Sequence, residues 1–277
     1  QRLLTVEDPP ALNLKVEGDL FLGEHLVNEA PVVPGAFITE IFSEAASTLS
    51  PGLPPAQVVF RRPLMLRDPE LALEVVQQGD TMLLMPTERP ELAPQSMANL
   101  SFATCIPAED RAVEADWLSL PPGGAAALAE KASGNSPSFY DHLADNFSTA
   151  LNTGPIFQGI QQAVELDGRF YGLVTLTDAA LALLSTPGDF IINPVMADMA
   201  VQVASAWGVT THGALAIPAE LKALHVGGPS SSRDAVVICD RLEHSAEESL
   251  VDLAVREPDG TLVFALEGLL LKTIAKL

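Results

Sequence analysis

Residues 193–208 read NPVMADMAVQVASAWG, and their reading decides the fold. Asn193 followed by Pro194 is an N-cap with proline at the first helical position, where the missing N–H is not needed. The residues that follow are apolar almost all the way round a helix, which demands a helix wrapped by other structure. Residues 34–49, PGAFITEIFSEAASTL, repeat the scheme in the first half. Phe37, Ile38, Ile41, Phe42, Ala45 and Leu49 fall at helical spacing, Pro34 suits the first turn, and Ser50-Pro51-Gly52 stops the run.

Strand-like runs surround each predicted helix. In the first half they are AQVVFRRPLML (56–66), LALEVVQQGDTMLLMP (71–86) with a Gln-Gly-Asp turn, and SMANLSFATCI (96–106). In the second half they are RFYGLVTLT (169–177), ELKALHV (220–226), DAVVICDRL (234–242) and SLVDLAVREPDGTLVFALEGLLLKTI (249–274). The last contains Pro258-Asp259-Gly260-Thr261, a hairpin turn between two alternating runs. Between the halves, residues 106–137 are rich in Pro, Gly, Ala and charge, lack strand alternation, and read as a connector. The expected organisation is therefore an N-terminal unit over 1–110, a linker over 111–137 and a C-terminal unit over 138–277. One long buried helix wrapped by a curved antiparallel sheet, occurring twice, predicts an α+β double hotdog.

The chain of 277 residues is 48% hydrophobic and 18% charged, which fits packed globular structure. Its net charge of -21 argues against a nucleic-acid or anionic-membrane partner. No apolar run reaches the roughly 18 residues of a membrane span. The opening QRLLTVEDPP lacks a start methionine and fits a segment of a longer protein. Cys105 and Cys239 are isolated in strand-like runs, without metal-ligand spacing, and read as reduced core residues of a cytoplasmic protein.

Two residues look able to carry chemistry. Asp198 lies on the buried helix with Gln202 four residues on, at the same face and within reach of its carboxylate. Burial penalises the ionised form, so Asp198 should hold a proton near neutrality and can give it to a leaving hydroxyl. His25 precedes the first apolar helix. A neutral imidazole there can take a proton from a carbon next to a thioester carbonyl, while helix-start N–H groups stabilise the enolate oxygen. Taken singly, such a histidine is more often a hydrogen-bonded structural residue, and a buried Asp–Gln pair is often a satisfied polar core group.

The other candidates carry less. His142 reads as a surface or packing residue on a mixed helix. His212, His225 and His244 lie in turn or strand segments without carboxylate partners at useful spacing. No pair has metal-ligand spacing. Ser230-Ser231-Ser232 is a turn without a nucleophile elbow, and no glycine-rich phosphate loop is present. Arg61 and Arg62 form one of the few basic clusters, read as a solvated strand edge or as a contact for phosphopantetheine or its carrier.

Together these segments resemble the dehydratase domain of modular type I polyketide synthases. HLVNEAPVVP (25–34) resembles the signature HxxxGxxxxP, with Glu29 at the glycine; Gly35 and the helix after it fit as well. TGPIFQG (153–159) resembles YGPxFQ, with Gly154, Pro155, Phe157 and Gln158 matched and Thr153 at the tyrosine. NPVMADMAVQ (193–202) resembles HPxxxDxxxQ, with Asn193 at the histidine. REPDGTLVFALEGLLLK (256–272) is similar to the family's closing hairpin.

The resemblance implies that His25 is the base, Asp198 the acid and Gln202 the residue orienting it. Pro34, Gly35, Thr153, Gly154, Pro155, Phe157 and Asn193 would orient these groups and position substrate. It implies a β-hydroxyacyl thioester presented on the phosphopantetheine arm of an acyl carrier protein, dehydrated to the α,β-unsaturated product without metal or other cofactor. The partners implied are that carrier and neighbouring synthase domains, with a homodimer left open. Both carrier and chain are acidic, a conflict that covalent tethering at effective concentrations of about millimolar relieves. Three departures shape the expectation: Glu29 brings a side chain to the entrance, Thr153 keeps a shorter hydroxyl, and Asn193 keeps the cap without a titratable ring. The segment ADNFSTALNTGP (144–155) is longer than the resemblance suggests, so a reshaped loop is expected there. A double-bond isomerase, a cyclase or product-template activity, or a non-catalytic double hotdog are the alternatives on the same fold.

Overall fold

The computed structural model describes residues 4, 9–15, 19–49, 55–87, 101, 103–107, 118–132, 139–184, 190–228, 230 and 232–277. The first half runs through β1 (Ala11–Lys15), a helical turn α1 (Leu20–Gly23), and the hairpin β2 (His25–Val27) and β3 (Ala30–Pro31). Then come the predicted apolar helix α2 (Gly35–Leu49) and the strands β4 (Pro55–Phe60), β5 (Glu70–Gln78), β6 (Thr81–Pro86) and β7 (Ala103–Pro107). Leading into the second half are α3 (Gly124–Ala132), α4 (Phe139–Phe147), β8 (Leu151–Thr153) and a 3₁₀ turn over Pro155–Phe157. The chain closes with β9 (Ile160–Leu166), β10 (Arg169–Thr175), α5 (Asp178–Leu183), α6 (Pro194–His212), β11 (Ala214–Val226), β12 (Asp234–His244), β13 (Glu248–Arg256) and β14 (Leu262–Lys276).

Helix α6 starts where its sequence predicts. The Asn193 side chain accepts the N–H groups of Val195 and Met196, both at 3.1 Å, and so satisfies two donors that no helical carbonyl can reach. Gly213 ends the helix in the left-handed conformation at φ 63°, its N–H bonded to Val209 O. Every residue from Pro194 to Val209 is buried. Each large apolar side chain so placed is worth about 1.5–3 kcal/mol against exposure, which explains why most of the helix surface is apolar.

One antiparallel sheet of eleven strands, ordered β1-β5-β6-β7-β4-β11-β14-β13-β12-β10-β9, wraps both long helices. Its first five strands belong with α2 and its last six with α6, and the two sets meet edge to edge where Val59 of β4 pairs with Glu220 of β11. This is the double hotdog. Helices α2 and α6 also pack on each other at the junction, where Glu40 of α2 accepts the N–H groups of Ile191 and Ile192.

Several local expectations change. The strand predicted over 56–66 ends at Phe60. Pro63 cannot donate to a ladder, and the chain crosses to the β2–β3 hairpin, where Leu64 O accepts the Val33 N–H and the Leu66 N–H reaches Pro31 O, both at 3.0 Å. The connector contains α3, which packs on β9 and β10. Strand β9 was not anticipated, although Asp167-Gly168, at φ 53° and 78°, forms a two-residue turn into β10. Ser50-Pro51-Gly52 and much of 96–106 and of the connector lie outside the described residues.

Candidate active site

A second, three-stranded sheet, β3-β2-β8, joins the halves away from the main sheet. Its central strand begins with His25, which pairs directly with Thr153 of β8. The loop after β8 is braced by Glu24, the residue before His25. Glu24 O accepts the Gly154 N–H at 2.7 Å, and its carboxylate accepts the Ile156 N–H at 2.6 Å. A Cβ at Gly154 would lie 2.7 Å from Glu24 Cγ, so only glycine lets this side chain fold over the turn. Thus the segment TGPIFQ grips the residue that precedes the histidine.

The His25 ring is fixed from two sides. Its Nδ1–H donates to Val32 O at 3.1 Å, because a carbonyl can only accept. The Phe157 ring stands edge-on at 5.5 Å, and Phe157 meets Phe37 of α2 in the same manner at 6.3 Å. The neutral ring then presents an unprotonated Nε2. That atom lies 3.9 Å from Asp198 Oδ1 on α6, too far for a direct hydrogen bond. Gln202 Nε2 donates to the other carboxylate oxygen at 2.7 Å. Burial drives the Asp198 pKa upward, opposed by the positive charge of His25 when that ring is protonated and by the Gln202 hydrogen bond.

His25 and Asp198 face one cavity of about 670 Å³, whose lining also includes Pro34, Gly35 and Gln202. Gly35 sits where α2 meets the seam between the two strand sets. A Cβ there would already touch Phe60 and Pro218 at 3.4 Å. Arg61, Arg62 and Lys272 line the same cavity and are exposed, so the basic pair stands at a rim and not merely on a solvated strand edge.

Not every anticipated residue reaches the cavity. Thr153, Gly154, Pro155 and Phe157 are absent from its lining; Thr153 pairs with His25 across the small sheet and Phe157 meets its ring. Asn193 serves as the helix cap. Glu29 is exposed at the tip of the β2–β3 hairpin and does not line the cavity, which corrects its expected role as an entrance modifier. Asn28 and Glu29 have φ 49° and 63°, as a two-residue hairpin turn requires. A glycine at that position would serve the same turn. Residues 144–155, read as a reshaped loop, form the end of α4, a turn and β8.

His225 does have a carboxylate partner: its Nε2 lies 3.1 Å from Glu267 Oε2 on the neighbouring strand, away from the cavity. His212 and His244 stack face to face at 3.9 Å, with Trp207 edge-on to both. Cys105 and Cys239 are buried and not joined in a disulfide, and burial pushes the Cys239 thiol upward. Sequence reasoning missed Glu24 and Tyr140. The Tyr140 hydroxyl donates to Phe157 O at 2.9 Å and accepts the Ile160 N–H at 3.1 Å, which pins the Phe157 turn. No periodicity marks such contacts.

Residues 119–277, more than half of the chain, match the family described as Polyketide synthase dehydratase N-terminal domain. The chain belongs to the polyketide synthase dehydratase family. It is a hydro-lyase that dehydrates a β-hydroxyacyl thioester in polyketide biosynthesis. No curated protein sequence matches it. Among solved structures it is similar to the dehydratase domain from the CurK module of the curacin polyketide synthase, at 16% identity and TM-score 0.72, over 95% of this chain and 90% of that one. A trans-AT polyketide synthase dehydratase domain from Brevibacillus brevis is similar at 17% identity and TM-score 0.71, over 96% and 93%. The dehydratase domain of PpsC from Mycobacterium tuberculosis is similar at 20% identity and TM-score 0.71, over 100% and 99%. At these identities the likeness is one of fold. Polyketide synthase dehydratases act on substrates bound to an acyl carrier protein, beside neighbouring synthase domains. No helix among the described residues is long and apolar enough to cross a membrane.

Proposed function

We propose that His25 is the base and Asp198 the acid of this dehydration. The observation that carries the reading is the 3.9 Å separation of His25 Nε2 and Asp198 Oδ1 within one cavity. With the thioester bound between them, Nε2 takes the proton from the carbon next to the carbonyl. Electrons of that C–H bond form the new double bond as the β C–O bond breaks, and Asp198 gives its proton to the departing hydroxyl, which leaves as water. The amino end of α2 at Gly35 faces the cavity and favours negative charge developing on the thioester oxygen. The cycle leaves an imidazolium and a carboxylate side by side, and transfer of one proton between them restores the starting state.

Gln202 holds the acid, while Phe157, Val32 O and the Glu24-braced turn hold the base. For the CurK dehydratase, crystal structures describe both a histidine-to-phenylalanine and an aspartate-to-asparagine variant as inactive. That supports assigning the same two residue types here. The substrate arrives on the phosphopantetheine arm of an acyl carrier protein, with Arg61, Arg62 and Lys272 offering positive charge at the rim of an otherwise acidic chain. No other cofactor is required by these steps. The working division keeps 1–110 and 138–277 as the two hotdog units linked by 111–137, in a cytoplasmic synthase.

The test is incubation with β-hydroxyacyl pantetheine thioesters followed by mass spectrometry. Loss of one water is expected. No loss across several chain lengths and both hydroxyl configurations overturns the reading, and a mass-neutral rearrangement would point to isomerisation or cyclisation.

A further inference from the structure

Polarity is unevenly spread over the cavity wall. Exposed Arg61, Arg62 and Lys272 and half-buried Glu220 mark the rim, while His25, Asp198 and Gln202 supply the polar groups of the interior. The hydroxyls of the lining are spent or turned away: Ser205 donates to Ala216 O at 2.8 Å, and Thr273 Oγ1 exposes essentially no surface. By contrast Val27, Val32, Val33, Ile38, Leu64 and Leu151 are apolar and buried.

Strand geometry places two of these residues. Side chains alternate along a strand, so His25 and Val27 share one face of β2, while Leu26 points away and does not line the cavity. Leu151 of β8 is the cross-strand partner of Val27, as Thr153 is of His25. At about 3.4 Å per residue, Val27 and Leu151 lie about 7 Å along the small sheet from His25. The backbone there is spent inside the fold: the Asn28 N–H reaches Ala150 O at 3.2 Å and the Val32 N–H reaches His25 O at 3.0 Å. The strip leading away from His25 therefore offers apolar contact.

An apolar wall of this kind favours hydrocarbon and penalises a polar atom that must leave water without a partner. An extended acyl chain, with bonds of about 1.5 Å at tetrahedral angles, advances about 1.25 Å per bond. With its α-carbon at His25, such a chain meets Val27 and Leu151 at about carbon 7. We propose that Val27 and Leu151 form an acyl seat that selects substrates with a hydrocarbon chain there and discriminates against chains oxygenated at that depth. This inference rests on reading the site as a thioester dehydratase with His25 at the α-carbon.

The experiment compares kcat/KM for pantetheine thioesters of β-hydroxybutanoyl, β-hydroxyhexanoyl and β-hydroxyoctanoyl groups. A fourth substrate is the octanoyl compound with an ether oxygen in place of the methylene next to its terminal methyl, equal in length and shape. Each added methylene should raise the value about twofold to fourfold, and the ether should lower it about fivefold to a hundredfold against its hydrocarbon parent. Val27→Thr keeps the shape and adds a hydroxyl, so it should narrow that second ratio about threefold or more. Leu151→Asn should do the same from the neighbouring strand. Ratios between substrates are unaffected by a general loss of folded protein. Equal values along the series, an ether used as well as its parent, or a ratio that neither variant narrows overturns the inference. Binding of the matching unreactive thioethers, measured by calorimetry, separates the seat from the reaction. Preference for the hydrocarbon thioether with no dehydration of any thioester would sink the reaction and support the seat. Dehydration of parent and ether alike, with equal binding of their thioethers, would sink the seat and leave the reaction standing.

Discussion

The carboxylate of Glu40 on α2 accepts the N–H of Ile192 at 2.9 Å, one residue before the Asn193 cap of α6. Its other oxygen takes the Ile191 N–H at 2.8 Å. A side chain of the first hotdog thereby holds the entry to the helix that carries Asp198. Since α2 itself begins at the cavity beside His25, this contact helps register the two halves of the proposed catalytic pair.

Burial pushes Glu40 up to about 8 from an ordinary 4.5, with backbone hydrogen bonds opposing and Glu44 adding to the rise. Between those values the folded protein keeps a proton that the unfolded chain has released, so stability falls as pH rises from about 4.5 towards 8. Glu40→Gln should flatten that slope, leaving the part due to Asp198, whose shift has the same sign. Thermal unfolding followed across this pH range checks it; an equal slope in the variant rules the account out.

His25→Ala and Asp198→Asn should each lower kcat by about 10²–10⁴-fold, as expected for loss of a positioned base or acid. The double variant should be little worse than the poorer single one, because the two groups act in one step. Steady-state kinetics on a pantetheine thioester, with circular dichroism to verify folding, measures this. Full activity in either single variant removes the role assigned to that residue.

Asp198 can act as an acid only while protonated, so turnover should fall on the alkaline side as it ionises. Burial moves this limb upward, and the Gln202 hydrogen bond restrains it by favouring the carboxylate. Gln202→Leu removes that restraint. Its kcat–pH profile should show the alkaline limb at higher pH and a lower plateau, since the acid is no longer oriented. A limb that stays put or moves down contradicts the assignment.

Asn193→Ala should cost about 1 kcal/mol, because two N–H groups at the start of α6 lose their acceptor. Asn193→Asp and Asn193→Ser should keep most of that stability. Chemical denaturation distinguishes them, and an unaffected alanine variant would mean that the cap contributes nothing.

Local chemistry by itself determined a good deal of this protein. The Asn-Pro cap and the continuous apolar face specify α6, and the alternating runs with Gly-Asp and Pro-Asp-Gly-Thr turns specify the β5–β6 and β13–β14 hairpins. In these cases neighbouring residues carry the information, because periodicity and turn conformation are properties of a few adjacent φ and ψ angles. Asp167-Gly168 carried the same signal for β9 and β10. The motif residues made His25, Asp198 and Gln202 legible as candidates through resemblance. Only the tertiary structure decided which atoms meet. It paired His25 with Thr153, laid Glu24 over Gly154, sent Glu29 to a hairpin tip and brought Arg61, Thr273 and Asp198 to one cavity. Those outcomes depend on edge-to-edge pairing of β4 with β11 and on the packing of α2 against α6. Such contacts join residues far apart in the chain, and no local pattern encodes them.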